Sequence, residues 1–216
     1  MDFVRSAGNG LEWIKPIREI SSIEDWRRWL VSNLTSFDLK ELDKAAVLVA
    51  AYKEGINYIF SEVKKRGLNG MELPRVGIVI SGRLPGTAAS DSESKTVFLS
   101  SSSLWFASLT NIEETFVNQT PRRETIFVGS RIDLYRLIGV EEGYHNIFGQ
   151  VKGESDDEEV LPFTVPLEDY DAQEGEYRAL KWQFKYAKVK NMPQETIDVL
   201  QQRLDLAKTV QGKAAI

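Results

Sequence analysis

The sequence predicts an α+β fold, helix-rich, with a small antiparallel or mixed sheet, and three observations carry that expectation. Long stretches repeat apolar residues at the 3.6-residue period of an α-helix. Between them lie short β-branched runs of strand length: VGIVI at 76–80, TVFL at 96–99 and, more weakly, TIFV at 125–128. A chain of 216 residues, 42% hydrophobic and 27% charged, has the balance needed to bury one sizeable core.

Residues 1–20 mix Gly, Pro and isolated apolar residues and read as extended, and 1–35 together read as an N-terminal arm. Within it, Ser21 and Glu24 form a capping box ahead of a short helix that carries Trp26, Trp29 and Leu30. The remaining chain, 36–216, reads as one domain. Its first helix is expected from near Asp38 to about Arg66, with Leu42, Ala45, Ala46, Val49, Tyr52, Ile56, Ile59, Phe60 and Val63 at helical spacing. The glycines at 67 and 70 stop it.

The strand-like runs come next. The polar stretch RLPGTAASDSESK between the first two reads as a loop, and 111–118 as a short helix. Further helices are expected over 130–148, over 170–190, and from Pro193, a favoured first-turn residue, to about 210. An acidic loop, GESDDEEVLPFTVP, separates the first two of these, and the tail QGKAAI reads as frayed.

Charge and composition exclude several function classes. The net charge is −5, and the densest basic run, Lys64-Lys65-Arg66, falls at an expected helix C-terminus, where cations complement the dipole. Nucleic acid is therefore not an expected partner. The absence of cysteine removes disulfides, cysteine-based zinc fingers and thiol catalysis, and fits a cytoplasmic protein. The first residues, MDFVRSAGNGLEWIKP, lack the apolar run of a signal peptide. The longest apolar run, 45–52, is too short to span a bilayer, so no membrane partner is expected.

Chemistry concentrates in RIDLYRLIGVEEGYHNIFGQ. Glu141 to His145 is an i,i+4 pair and Glu142 to His145 an i,i+3 pair, so on a helix two carboxylates and the only imidazole of the chain can converge. Such a pair also forms as an ordinary surface ion pair worth only ~0.2–0.5 kcal/mol. Leu134, Ile138 and Phe148 lie on the same side, which puts the cluster at the border of the core.

The segment Glu141-Glu142-Gly143-Tyr144-His145 resembles the HExxH motif of zincin metallopeptidases of the gluzincin type, with Glu in place of the first histidine. EYRA, Glu176 to Ala179, resembles the E-x-x-A pattern that brings their third ligand on a later helix, with Glu174 as a neighbouring candidate. The order of elements is similar to theirs over roughly residues 38–190. The resemblance implies a zincin-like fold and a divalent metal ion held by Glu141, His145 and Glu176. It also implies that Glu142 is the general base of a peptidase-like hydrolase, and that the strand at 96–99 offers a free edge to an extended substrate.

Glu141 departs from the pattern. Two carboxylates and one imidazole largely neutralise a divalent ion, which implies slower hydrolysis, a harder metal such as manganese or iron(II) instead of zinc, or no catalysis. Two readings follow: a metal-dependent hydrolase acting on a polypeptide substrate, and a non-catalytic intracellular module, a pseudoenzyme, that binds a protein partner.

Other patterns carry less. A di-iron bundle needs a second Glu-x-x-His, and there is no second histidine. SGRLPG at 81–86 lacks the lysine of a phosphate loop, the serines at 100–103 lack a nucleophile elbow, and the acidic run at 154–159 lacks the alternation of a calcium loop.

Overall fold

A computed structural model describes residues 28, 39–79, 87–114, 116–119, 125–151 and 172–214. The expected arm and its capped helix, apart from Arg28, lie outside the described residues, as do SGRLPG and the acidic loop.

Helix α1, Leu39–Lys65, matches the periodic segment. It carries Glu41 in its first turn and Lys64 and Lys65 in its last, each complementing the helix dipole. Gly67 ends it at φ 83°, a left-handed conformation that glycine reaches without strain, while its N–H donates to the Lys64 carbonyl at 3.0 Å.

Strands β1 (Arg75–Val79), β2 (Ala88–Asp91) and β3 (Thr96–Ser100) form a mixed sheet in the order β1-β3-β2. β3 runs parallel to β1, pairing Arg75 with Thr96 and Val79 with Ser100, and antiparallel to β2, pairing Ala88 with Leu99 and Asp91 with Thr96. The strand at 96–99 is therefore central and buried along its length, not the free edge expected for substrate pairing. β2 lies in the stretch expected as a loop. Asp91 holds the turn that follows: its carboxylate accepts from the Glu93 N–H at 3.2 Å and the Ser94 hydroxyl at 2.6 Å.

Helix α2, Ser101–Ser108, follows β3 directly and packs Leu104 and Ala107 into the core beside α1. The helix expected at 111–118 is absent. The Asn111 side chain accepts from the Glu113 N–H at 3.1 Å, closing a local turn, and Phe116–Gln119 is a strand, β4. β4 pairs antiparallel with β5, Thr125–Gly129, with an irregularity at Asn118/Gln119.

Helix α3, Arg131–Val151, opens on Ser130, whose hydroxyl accepts from the Asp133 N–H at 3.1 Å and donates to the Asp133 carboxylate at 2.8 Å. Helix α4, Ala172–Val189, ends where Asn191 turns left-handed at φ 50°. Helix α5, Gln194–Ala214, continues through most of the tail expected to fray. Among the described residues no helix is long and apolar enough to cross a membrane.

Two apolar clusters form the core. The first seats Leu42 to Ile56 of α1 against the sheet residues Val76, Ile78, Val97 and Leu99. The second packs Ile59 and Val63 of α1 with Val140, Tyr144 and Ile147 of α3, Trp182 and Tyr186 of α4, and Leu200 and Leu204 of α5.

Where α1 meets α3 the backbones touch. A Cβ added to Gly139 would lie 2.0 Å from the Tyr52 carbonyl oxygen, and one on Gly55 would lie 2.1 Å from that of Arg136. Gly143 sits against Ile56, with 3.1 Å between its virtual Cβ and the Ile56 Cα. Only glycine permits that approach.

Candidate functional site

Glu141, Glu142 and His145 occupy one stretch of α3, all half-buried. The glycine joint fixes this stretch against α1, because Gly139 and Gly143 flank the two glutamates in sequence. From the sheet side, the fully buried Asn146 anchors the same turn. Its amide donates to the Asp91 carbonyl at 2.8 Å and to the Thr96 carbonyl at 3.1 Å, and its oxygen accepts from Gln150 at 2.9 Å. Gln150 in turn bridges to the backbone of Glu72 through both ends of its amide.

On its other side the motif meets α4. Gln183, buried, donates from Nε2 to the Glu141 carboxylate at 2.8 Å and to the Leu137 carbonyl at 3.0 Å. A buried amide held by two acceptors orients the Glu141 carboxylate toward α4. Two further ties fix the direction of α4. Lys185 binds Glu62 at 2.8 Å and Lys190 binds Glu54 at 2.7 Å, so α4 runs antiparallel to α1. Position 176, seven residues before Gln183, falls two turns earlier on the same helical face. The side chains of Glu176 and Glu174 lie outside the described residues.

Tyr52 of α1, read from sequence only as a core position, lies in the core beside the motif helix. It is fully buried, and its hydroxyl lies 3.5 Å from the Phe98 carbonyl. Burial pushes its pKa well up, and the negative charges of Glu142 and Glu141 push it further, so the phenol stays protonated. Tyr52 is thus a neutral hydroxyl within electrostatic range of both glutamates. Its aromatic ring at an apolar helical position gave no sign of that.

His145 packs edge-on against Tyr144, with 5.5 Å between ring centroids at 73°, and its Nε2 atom is buried. Among the described residues, no group of three His, Asp or Glu side chains is placed to hold a metal ion. Glu141, Glu142 and His145 therefore do not close a metal site by themselves, and the ligand set implied by the resemblance needs Glu176. One imidazole with two carboxylates is chemically a divalent-cation set. Its two members on α3 are held one turn apart.

A separate ionic network lies where α1, α3 and α4 meet. Glu54 accepts from Arg136 at 2.8 Å and from the Tyr186 hydroxyl at 3.2 Å, with Lys190 at 2.7 Å; Arg136 also binds Asp133 at 3.1 Å. Burial alone would raise the Glu54 pKa, but hydrogen bonds from Lys190 and Arg136 outweigh it and hold the carboxyl below its ordinary range. No known protein family, curated protein or solved structure matches this chain.

Proposed function

We propose that this chain is a zincin-like hydrolase acting on a polypeptide, in which His145, Glu141 and Glu176 hold a divalent metal ion and Glu142 is the general base. The observation that carries this reading is the half-buried pair Glu141 and His145, held one turn apart on α3. Gln183 brings α4 alongside the same stretch, and position 176 lies two turns before Gln183 on that helix. The ion, zinc or a harder manganese or iron(II), supplies Lewis acidity. Glu142 accepts the proton of the attacking water and returns it to the leaving amine. Tyr52, kept neutral, adds no charge beside the two carboxylates. A cytoplasmic setting is part of the proposal and rests on the cysteine-free sequence.

One observation favours a second reading. Gln183 already gives the Glu141 carboxylate a hydrogen bond from the protein, so Glu141 has a structural task without any metal. On that reading the scaffold is non-catalytic and binds a protein partner.

Metal analysis of the purified chain separates the two. The hydrolase reading expects about one equivalent of metal, reduced in both His145→Ala and Glu176→Gln, and peptide cleavage abolished in Glu142→Gln with metal retained. A wild-type protein that takes up no zinc, manganese or iron when each is supplied overturns it.

A further inference from the structure

Helix α2 carries no charged side chain. One side of it, Leu104 and Ala107, is buried in the core beside α1. On the opposite side Phe106 is 69% exposed, and Leu109, just past the helix end, is 47% exposed. A helix that meets water on one side carries polar residues there, so this outer side lacks the pattern of a solvated face. The other exposed large apolar residues among those described, Val189 and Leu206, each stand singly beside a charged residue.

The N-terminal segment of the chain leads to this place. The Lys44 ammonium donates to the Thr110 carbonyl at 3.2 Å, and the Thr110 hydroxyl donates to the Ala107 carbonyl at 3.1 Å. The first turns of α1 therefore lie against the C-terminal end of α2. Leu39, where α1 begins, precedes Lys44 by about 7.5 Å along the helix axis. Residues 31–38 span up to about 26 Å when extended, which tethers the helix expected after Ser21 within reach of Phe106. In that segment Ile23, Trp26, Trp29 and Leu30 share one helical side, while Arg28, on the other side, is helical and exposed. A helix of about ten residues does not persist in water unless its apolar side is buried.

We propose that residues 22–31 dock as an amphipathic helix on the outer side of α2, with Trp26 and Trp29 covering Phe106 and Leu109. The partner of this surface is the chain's own N-terminal segment, because the short tether gives it a local concentration that a separate molecule does not match. The proposal is independent of the metal reading, since none of its residues belongs to the motif on α3.

Hydrogen–deuterium exchange of the full chain, read segment by segment, tests it. The amides of 22–31 are protected in the wild type. Phe106→Ser/Leu109→Ser raises their exchange at least tenfold, while α1 from Val49 to Ile59 keeps its protection and so reports an intact fold. If that variant loses protection in α1 as well, Trp26→Ser/Trp29→Ser takes its place, with the last turn of α2 exchanging at least threefold faster. Leu206→Ser, at an equally exposed apolar residue of α5, leaves 22–31 unchanged. No protection of 22–31 in the wild type, or no change in exchange with either double variant, overturns the proposal. Protection of 22–31 that falls on dilution also overturns it, because a second copy then covers the face.

Discussion

Helix α3 presents two unlike faces to the rest of the molecule. Along one, Gly139 and Gly143 let α1 come to backbone contact, and Arg136 joins Asp133 to Glu54. Along the other, Glu141 is met by the Gln183 amide of α4, and Glu141 and His145 stay half-buried. The first face has no room for a methyl group, while the second seats the Glu141 carboxylate on a buried amide within an otherwise apolar contact. The residues with no chemistry of their own therefore decide where the chemical ones stand.

The largest expected effect breaks the tight face. Gly139→Ala places a methyl 2.0 Å from a backbone oxygen that cannot rotate away, so the helices must part. Overpacking of this kind costs about 3 kcal/mol, measured as a fall in urea midpoint, while Glu141→Ala on the opposite face costs about 1 kcal/mol or less. An alanine variant as stable as wild type would show that the joint is not the fixed element of the fold.

A smaller effect is expected at the anchor beside the motif. Asn146→Ala leaves the Asp91 and Thr96 carbonyls without the amide that serves both, at about 2 kcal/mol. Denaturation should detect this loss, and amide exchange should rise at the β2–β3 turn. Unchanged exchange there would mean that the sheet does not depend on this anchor.

The smallest effect concerns pH. The folded-state pKa of Glu54 is lowered, so its contribution is present above the unfolded value of ~4.3 and is lost as pH falls through the folded value. Glu54→Gln should therefore flatten the acid limb of the stability profile below that pH. An acid limb as steep as that of wild type would assign the pH dependence to other carboxylates, Glu62 first among them, since hydrogen bonds from Lys185 and Lys65 lower its pKa.

The long helices were legible because their periodicity is decided within each segment. Leu42 through Val63 specify one face of α1 without reference to anything else. β2 was not legible: AASD has little strand propensity and takes its register from β3. Nor was α2, since SSSLWFAS is short, uncharged and has no polar face to set a period. At 111–118 the Asn111 side chain turns the backbone before a helix can start.

The candidate site divides in the same way. The spacing of Glu141, Glu142 and His145 is local and was readable, whereas the Gln183 contact and the placement of Tyr52 arise from three helices meeting. The glycine pair at 139 and 143 stood in the sequence with small-residue spacing, but its meaning needed the partner helix.

Helix α1 contributes Leu42 to Ile56 to the sheet-side cluster and Ile59 and Val63 to the helical one. It is one uninterrupted rod of 27 residues shared by both, with no linker between them. Melting either half removes half the support of that rod, so neither half has a stable existence of its own and the two lose order as a single cooperative unit.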